Sequence, residues 1–252
     1  MEPSRFLACL ADDFARLRAV APTDLTSAVP SCPGWSVADL TRHVGEVYLH
    51  KTLAIRDGAE PEPWPPAELA AEEPLALLDR AYAALLAEFA THDPKDTAGS
   101  WYEPGQTVGF WIRRMAQETV IHRIDAELGV GVPVAPIPDD LAVDGVDELL
   151  RVFVEYSVAE WADFFTEILA DSPGWTYTLR ADEQAWSVRT GPGLFSVTDG
   201  ATDAADVTVT GPPAALLRWV WGRELPGEPS GVTVQGSPEA VAQLRRCIVT
   251  AT

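Results

Sequence analysis

Apolar residues in the first half of the chain recur at the spacing of amphipathic helices. Residues 4–19 carry five of them at intervals of one, three and four positions: Phe6, Leu7, Leu10, Phe14 and Leu17. This pattern is typical of a helix with one buried face. Similar patterns predict helices over residues 37–55, 74–91 and 108–128, separated by polar or proline-rich loops. Four such helices joined by loops of medium length indicate a four-helix bundle.

Capping residues support these boundaries. Ser36 precedes the second helix, and Asp39 follows three positions later, where a carboxylate favours the first helical turn. The prolines between residues 61 and 66 exclude a helix there, and Gly129 is expected to end the fourth helix.

The pattern changes after residue 130. A loop with three prolines leads to a helical stretch over residues 139–169, and residues 175–179, 185–188, 205–209 and 232–234 then show strand patterns. Short helices are expected over residues 214–221 and 238–247. The N-terminal part is helical and the C-terminal part mixes strands with helices. This predicts an α+β protein with two domains, a four-helix bundle over residues 1–155 and a smaller α/β domain over residues 156–252.

Composition and net charge exclude some classes of function. The chain has 252 residues, is 47% hydrophobic and carries a formal net charge of −20. Such a charge repels phosphate backbones and anionic lipids, so we expect neither a nucleic-acid nor a membrane partner. Three cysteines far apart do not form a disulfide framework. Neither a leader nor a long apolar run is recognisable, which favours a cytoplasmic protein.

Three side chains suggest a metal site. Glu118 and His122 are four positions apart, so they lie on one face of the fourth helix. His43 lies near the middle of the second helix, from where it can face the same point across a bundle. Two histidines and a glutamate with an open fourth position are the ligand set of catalytic zinc sites. By spacing alone, a Glu–His pair exposed on the surface is the more common arrangement.

Longer motifs carry a family resemblance. Residues 31–44 (SCPGWSVADLTRHV) and 111–127 (WIRRMAQETVIHRIDAE), with weaker motifs at residues 206–212, 221–223 and 232–236, resemble the mycothiol-dependent maleylpyruvate isomerase family. The resemblance implies a DinB-like four-helix bundle followed by an α/β domain. Many relatives carry histidine where this chain has Gln117. That side chain points about 100° away from Glu118 around the helix, so the difference removes no ligand.

The resemblance also implies the chemistry. A divalent metal, usually zinc, would be held by His43, Glu118 and His122, and mycothiol would serve as thiol cofactor or co-substrate. Arg223, in the C-terminal domain, is the candidate catalytic arginine. The expected function is attack of an activated thiol on a small electrophile, either as a maleylpyruvate-type cis–trans isomerase or as a mycothiol S-transferase.

Two other functions stay open. A non-enzymatic metal- or ligand-binding regulatory protein can be built on the same fold, although an open coordination position argues for chemistry. A metal-dependent hydrolase is less well supported, because Glu46 is its only obvious general base. The expected partner is a small, anionic substrate, and the protein is expected to be a monomer or a small homo-oligomer.

Further polar residues have two interpretations each. His50 either lines the cavity or is a polar residue at a helix end, and His92 is expected to be exposed. Glu46 and Asp125 either accept hydrogen bonds from the ligating imidazoles or form surface salt bridges. Cys32 is interpreted as a small buried loop residue.

Arginines cluster on the predicted metal helix. Arg113, Arg114 and Arg123 stand out against the acidic background as a candidate positive patch for an anionic substrate. Arg114 either pairs with a substrate carboxylate or with neighbouring acids.

Overall fold

The computed structural model describes residues 1–170, 172–224, 227 and 231–252. The chain divides into two compact units, Met1–Ala135 and Pro136–Thr252. The first unit is helical and the second combines a sheet with helices, so the predicted α+β class with two parts is confirmed. Within the described residues no helix has the length and apolar character needed to cross a membrane. The three cysteines are free thiols.

The N-terminal unit is built from four long helices. They are α1 (Pro3–Val20), α2 (Val37–Asp57), α3 (Pro74–Thr91) and α4 (Val108–Val130). Each agrees with its sequence prediction to within about two residues. Helix α2 packs against α3 and α4, and α4 also packs against α1. Of the residues that gave the helical pattern of α1, Phe6, Leu10 and Leu17 are buried in the core of this unit, and Leu7 and Phe14 are partly buried.

The start of α2 is fixed by a capping box. The Ser36 side chain accepts a hydrogen bond from the backbone N–H of Asp39, and the Asp39 side chain accepts one from the backbone N–H of Ser36. These bonds satisfy backbone groups that the first helical turn leaves without partners. The predicted cap is therefore confirmed, and it fixes the start of the helix that carries His43.

Helix α4 is the most buried helix of this unit and continues past Gly129, the predicted end. It ends instead at Gly131, whose φ of 73° is the left-handed conformation that glycine adopts easily. Gly129 has a different role, because a Cβ there would lie 2.9 Å from Val37 Cγ2. The glycine allows α4 to approach the start of α2 closely.

A second close approach lies in the middle of α2. A Cβ placed on Gly45 would lie 2.9 Å from Leu77 Cγ and 3.0 Å from the backbone nitrogen of Leu78, both in α3. Only a residue without a side chain fits at this helix–helix contact.

An ion cluster ties α1 to the last turns of α4. Arg123, 1% exposed, donates to Asp13 Oδ1 at 2.9 Å and to Glu127 Oε2 at 2.8 Å. Arg16 of α1 donates to the other oxygen of Glu127 at 2.7 Å. Because these acids hold its guanidinium inside the unit, Arg123 does not belong to an accessible positive patch.

The C-terminal unit is a five-stranded sheet with helices. The strands are β1 (Thr176–Ala181), β2 (Gln184–Gly191), β3 (Leu194–Asp199), β4 (Val207–Gly211) and β5 (Thr233–Gly236), in the spatial order β3-β2-β1-β4-β5. Strands β1 and β4 are parallel and the other neighbours are antiparallel. Strand β3, which pairs with β2 as a hairpin, was not predicted from the sequence.

Its helices are mostly short. They are α5 (Asp139–Glu148), α6 (Tyr156–Glu160), α7 (Thr166–Leu169), α8 (Pro213–Val220) and α9 (Pro238–Ala251). A π-helical segment, Leu149–Glu155, joins α5 to α6. The predicted helix over residues 139–169 is therefore divided, with a break at Trp161, whose φ of −125° is not helical.

The π-helical segment binds the edge strand β3. Glu155 Oε1 accepts the backbone N–H of Val197 at 2.8 Å, and Arg151 donates to the carbonyl oxygen of the same residue at 3.1 Å. Arg151 also pairs with Asp199 at 2.6 Å. Side chains thus occupy backbone groups of β3 that would otherwise be open to another strand.

The boundary between the units differs from the predicted one. The division falls after Ala135, whereas the sequence pattern predicted a bundle over residues 1–155. Helix α5 packs against α8 of the C-terminal unit. The helical pattern of α5 resembles that of the bundle helices, but its buried face belongs to the second core.

Candidate metal centre

Three donor atoms from α2 and α4 converge in the N-terminal unit. His43 Nε2 lies 3.3 Å from Glu118 Oε1, and His122 Nε2 lies 3.1 Å from the same oxygen. The two imidazole rings are nearly perpendicular, with centroids 5.0 Å apart. All three donor atoms lie within 4.8 Å of one another. The structure therefore brings together the three residues that the spacing and the motifs had singled out.

Asp125 contacts the ring nitrogen of His122 that does not face the donor cluster. That nitrogen, Nδ1, lies 2.9 Å from Asp125 Oδ2, one helical turn further along α4. Ser31 Oγ, in the loop before α2, donates to the other oxygen of this buried carboxylate, and Cys32 Sγ lies 3.8 Å from Oδ2. A carboxylate that accepts the Nδ1 proton makes Nε2, which faces the donor cluster, the nitrogen that a metal ion would bind.

Glu118 is held in a similar way. Its Oε2 accepts a hydrogen bond from Arg114 at 2.7 Å, while Oε1 faces the two histidines. Arg114 is 4% exposed, so this contact lies largely out of water. Of its two interpretations, the structure supports pairing with a neighbouring acid.

The charged groups of the cluster shift one another's pKa values. Burial by itself raises the pKa of Glu118, but His122, His43 and Arg114 outweigh it and hold that pKa well below its usual range. Burial likewise lowers the pKa of His122, yet the carboxylates of Glu118 and Asp125 raise it to about 9. The carboxylate is therefore ionised at neutral pH, and His122 binds a proton that a metal ion must displace.

The donor set fits a divalent transition metal. Nitrogen and oxygen atoms that each lie about 2.0–2.2 Å from one tetrahedral ion are about 3.4 Å apart. The separations of 3.3 and 3.1 Å between the histidine nitrogens and Glu118 Oε1 are close to this value. Two imidazoles and one carboxylate match zinc, and a fourth position would remain for an exogenous ligand.

The residues around α2 and α3 differ in their distance from the donor cluster. Trp35 lies beside His43, with ring centroids 4.9 Å apart, so the loop before α2 also shapes the site. Among the described residues Glu46 has no hydrogen bond to His43. His92 Nδ1 lies 2.9 Å from the carbonyl oxygen of Glu88 and is away from the donor cluster.

Arg223 belongs to the C-terminal unit. It follows α8, its guanidinium donates to the carbonyl oxygen of Trp221 at 2.6 Å, and it lies 5.6 Å from the ring of the same residue. Its catalytic role stays a prediction.

Two residues of the N-terminal unit have positions that the sequence did not reveal. Lys51 is largely buried, lies 4.4 Å from the centroid of the Trp111 ring and pairs with Glu60 at 3.1 Å. The only signal in the sequence that could have marked Lys51 is the scarcity of lysine, since the chain has just two. Ser31 contacts Asp125 across a long sequence separation, which no local spacing predicts.

Comparison with known proteins supplies the family. A family model described as the mycothiol maleylpyruvate isomerase N-terminal domain matches residues 7–127, and the corresponding C-terminal domain model matches residues 140–243. No curated protein matches the chain.

Solved structures are similar over nearly the whole chain. A crystal structure of the mycothiol-dependent maleylpyruvate isomerase has 17% sequence identity and a TM-score of 0.58, covering 95% of this chain and 96% of that one. A histidine-to-alanine mutant under the same name has 15% identity and a TM-score of 0.60, with the same coverage. At these identities the similarity shows the fold, while the two family models span most of the sequence. The chain therefore belongs to the mycothiol-dependent maleylpyruvate isomerase family.

Proposed function

We propose that this protein is a metal- and mycothiol-dependent enzyme that joins a thiol to a small electrophile or uses it to isomerise one. The observation that carries the proposal is the convergence of His43, Glu118 and His122, whose donor atoms lie within 4.8 Å of one another. Three donors would leave a tetrahedral ion one position for an exogenous ligand. The chemistry is that of a maleylpyruvate-type cis–trans isomerase or a mycothiol S-transferase, acting in the cytoplasm.

His43, Glu118 and His122 would hold the metal, with zinc as the best match to the donors. A bound divalent ion at this place supplies Lewis acidity, which lowers the pKa of a coordinated thiol so that it is a thiolate at neutral pH.

The protein's own side chains prepare this site. Asp125 keeps a proton on His122 Nδ1 and thereby leaves Nε2 free to coordinate. Arg114 occupies one oxygen of Glu118 and directs the other toward the histidines. Both supporting groups are buried, so the donor geometry is set before any ligand arrives.

Arg223 is proposed to bind the anionic end of the electrophile. A guanidinium binds a carboxylate through two parallel hydrogen bonds, and in a chain with net charge −20 such a cation is needed to attract an acid. Replacement by lysine would keep the charge but lose the second hydrogen bond.

Metal content tests the proposal first. We expect the purified protein to contain about one divalent ion per chain, and His122→Ala to lose it, because the site keeps only two of three donors. His92→Ala is the matched control, since His92 lies away from the donor cluster. Elemental analysis of the three proteins is the measurement. Full metal content in His122→Ala would rule out the proposed site.

An assay of turnover distinguishes an enzyme from a binding protein with the same fold. The metal-loaded protein is incubated with mycothiol and a panel of electrophiles, including cis-configured conjugated keto acids. Thiol-dependent product formation that His122→Ala lacks supports the proposal. An intact metal site without thiol-dependent turnover on the panel would favour a non-enzymatic binding protein.

A further inference from the structure

Arg245, on α9, is held against the end of α8. The carbon of its guanidinium lies 3.7 Å from the centroid of the Trp219 ring. Its Nη1 donates a hydrogen bond to the carbonyl oxygen of Trp219 and a longer one, of 3.5 Å, to that of Val220. Carbonyl groups in the last turn of a helix attract cations. These contacts fix the plane of the guanidinium before any ligand binds.

The opposite edge of this guanidinium, formed by Nε and Nη2, has no hydrogen-bond partner among the described residues. The hydrogen bonds of Arg245 within that part of the chain all come from Nη1. Glu224 Oε2 lies 3.9 Å from Nη2, which is too long for a hydrogen bond. Neither Nε nor Nη2 is among the buried side-chain atoms that lack a partner, so both are open to solvent.

Elsewhere in the chain the same edge of an arginine binds a carboxylate. Arg80 donates from Nε and Nη2 to the two oxygens of Glu72, at 2.9 and 2.6 Å. Arg56 and Asp57 form the same pair of bonds, at 2.8 and 3.0 Å. The two N–H groups match the spacing of the two oxygens, and each bond is strengthened by charge. At Arg245 the same two donors face solvent instead.

The burial of Arg245 favours an anion at this edge. Burial lowers the pKa of Arg245, and the nearby carboxylate of Glu224 offsets only part of that effect. A guanidinium nevertheless stays protonated in a protein, so its charge is kept at a cost in solvation free energy. A carboxylate that accepts two charge-assisted hydrogen bonds reduces this cost. An uncharged hydroxyl or amide group reduces it less, because it brings no opposite charge.

The fixed position of Arg245 distinguishes it from the arginines on the surface. Arg246, its neighbour on α9, is exposed and is not held in this way by any described residue. An anion that binds an exposed arginine must restrict a long, mobile side chain, which costs conformational entropy. At Arg245 the contacts with α8 have already restricted the side chain, so more of the interaction energy appears as affinity.

Glu224 favours a carboxylate over a phosphate or a sulfate. Because its own carboxylate lies 3.9 Å from Nη2, any anion bound at this edge of Arg245 lies close to a like charge. The repulsion grows with the charge of the ligand, so it is weaker for a singly charged carboxylate than for a dianion. A planar carboxylate also matches two parallel N–H groups.

We propose that the Nε–Nη2 edge of Arg245 binds the carboxylate of a small organic acid. The site lies in the C-terminal unit and uses neither the metal nor the thiol, so it stands independently of the proposed function. Arg223 donates to the carbonyl oxygen of Trp221, which follows Val220 in the chain. Arg245 therefore lies at the same helix end as the residue proposed to bind the electrophile.

Titration with propionate, followed by NMR, tests the assignment on the full chain. The Nε–H signal of Arg245 is assigned in the 15N-labelled wild type, and propionate is added at constant ionic strength. We expect this signal to shift saturably, with a dissociation constant in the low millimolar range. Propionamide has the same shape without the charge and should leave the signal in place. Sulfate should bind more weakly than propionate.

Arg245→Lys keeps the charge but loses the pair of parallel donors. We expect it to bind propionate about tenfold more weakly, measured at the backbone amide signals of residues 219–221. Arg246→Lys is the matched control, since it makes the same change at the exposed neighbour, and it should bind like the wild type.

Four results would each overturn the assignment. They are no saturable shift of the Arg245 signal with propionate, an equal shift with propionamide, tighter binding of sulfate than of propionate, and wild-type affinity in Arg245→Lys. If Arg245→Lys does not fold, the comparison of propionate with propionamide in the wild type decides alone. Neither probe requires metal or turnover, so the result does not depend on the proposed function.

Discussion

At the scale of single residues, the metal centre depends on groups that do not belong to the donor set. Asp125 orients His122, and Ser31 in turn orients Asp125. The sequence offers the first contact as one of two interpretations, because the two residues are three apart on one helix. It does not predict the second, since the loop before α2 reaches α4 only through the fold.

Removing the charge at Asp125 should weaken metal binding. In Asp125→Asn a neutral amide oxygen replaces the carboxylate and accepts the Nδ1 proton more weakly, so His122 becomes a poorer ligand. We expect metal affinity to fall about 10- to 100-fold. The measurement is competition against a chelator of known affinity.

Glu46→Gln is the control for this variant. It removes a carboxylate one turn from His43, where the described residues show no hydrogen bond to that ligand. We expect its metal affinity to stay close to that of the wild type. Equal losses in both variants would mean that overall charge, and not orientation of His122, is responsible.

His50 should make folding stability depend on pH. Its pKa is about 4 in the folded protein and about 6.5 when unfolded. Between these values the unfolded chain binds a proton that the folded protein does not, so stability is complete above pH 6.5 and falls as the pH drops toward 4.

His50→Phe should remove this part of the acid sensitivity. We expect its free energy of unfolding to fall by about 1 kcal/mol less than that of the wild type between pH 7 and pH 4.5, after allowance for partial solvent screening. Urea unfolding at the two pH values measures the difference. Identical pH profiles would show that His50 titrates normally in the folded protein.

At the scale of helices and strands, the sequence predicted those helix boundaries that neighbouring residues determine. The capping box at Ser36 and the start of α3 at Pro74 follow from residues within one turn. The end of α4 was placed too early, because Gly129 serves a close helix contact and not a cap. Strand β3 was missed because its hairpin with β2 depends on cross-strand pairing, which a short segment does not reveal.

The binding of β3 by Glu155 gives a prediction at this scale. Glu155→Ala leaves the backbone N–H of Val197 without its acceptor, and we expect the C-terminal unit to lose about 1–2 kcal/mol of stability. Glu155→Gln keeps an acceptor oxygen and should lose less. Urea unfolding of both variants and of the wild type is the measurement, and wild-type stability of Glu155→Ala would show that this hydrogen bond contributes nothing.

At the scale of the whole molecule, the family and the α+β class followed from sequence motifs, but the boundary did not. The sequence shows that α5 is amphipathic without showing which core receives its apolar face. The structure assigns α5 to the second unit, through α8. Which helix faces pack against each other is decided by the complete fold, and helical periodicity does not reveal it.

Metal binding should stabilise the molecule unevenly. A ligand at 100 times its dissociation constant adds about 2.7 kcal/mol to the free energy of unfolding of the part that binds it. Hydrogen exchange with and without zinc should therefore slow more in α2 and α4 than in the five strands. His122→Ala, which is expected to lose the metal, should show no such difference. Equal slowing in α2, α4 and the sheet would contradict local stabilisation.

The contact at Gly45 has a consequence for how this site evolves. Gly45 is two residues from His43, and any side chain there would push α2 away from Leu77 and Leu78 of α3. Such a shift would carry the His43 nitrogen away from Glu118 while every metal ligand stayed intact in the sequence. Mutational tolerance at Gly45 should therefore be as low as at a ligand, and a chain of this family can lose its metal through a position that a search for ligand motifs ignores.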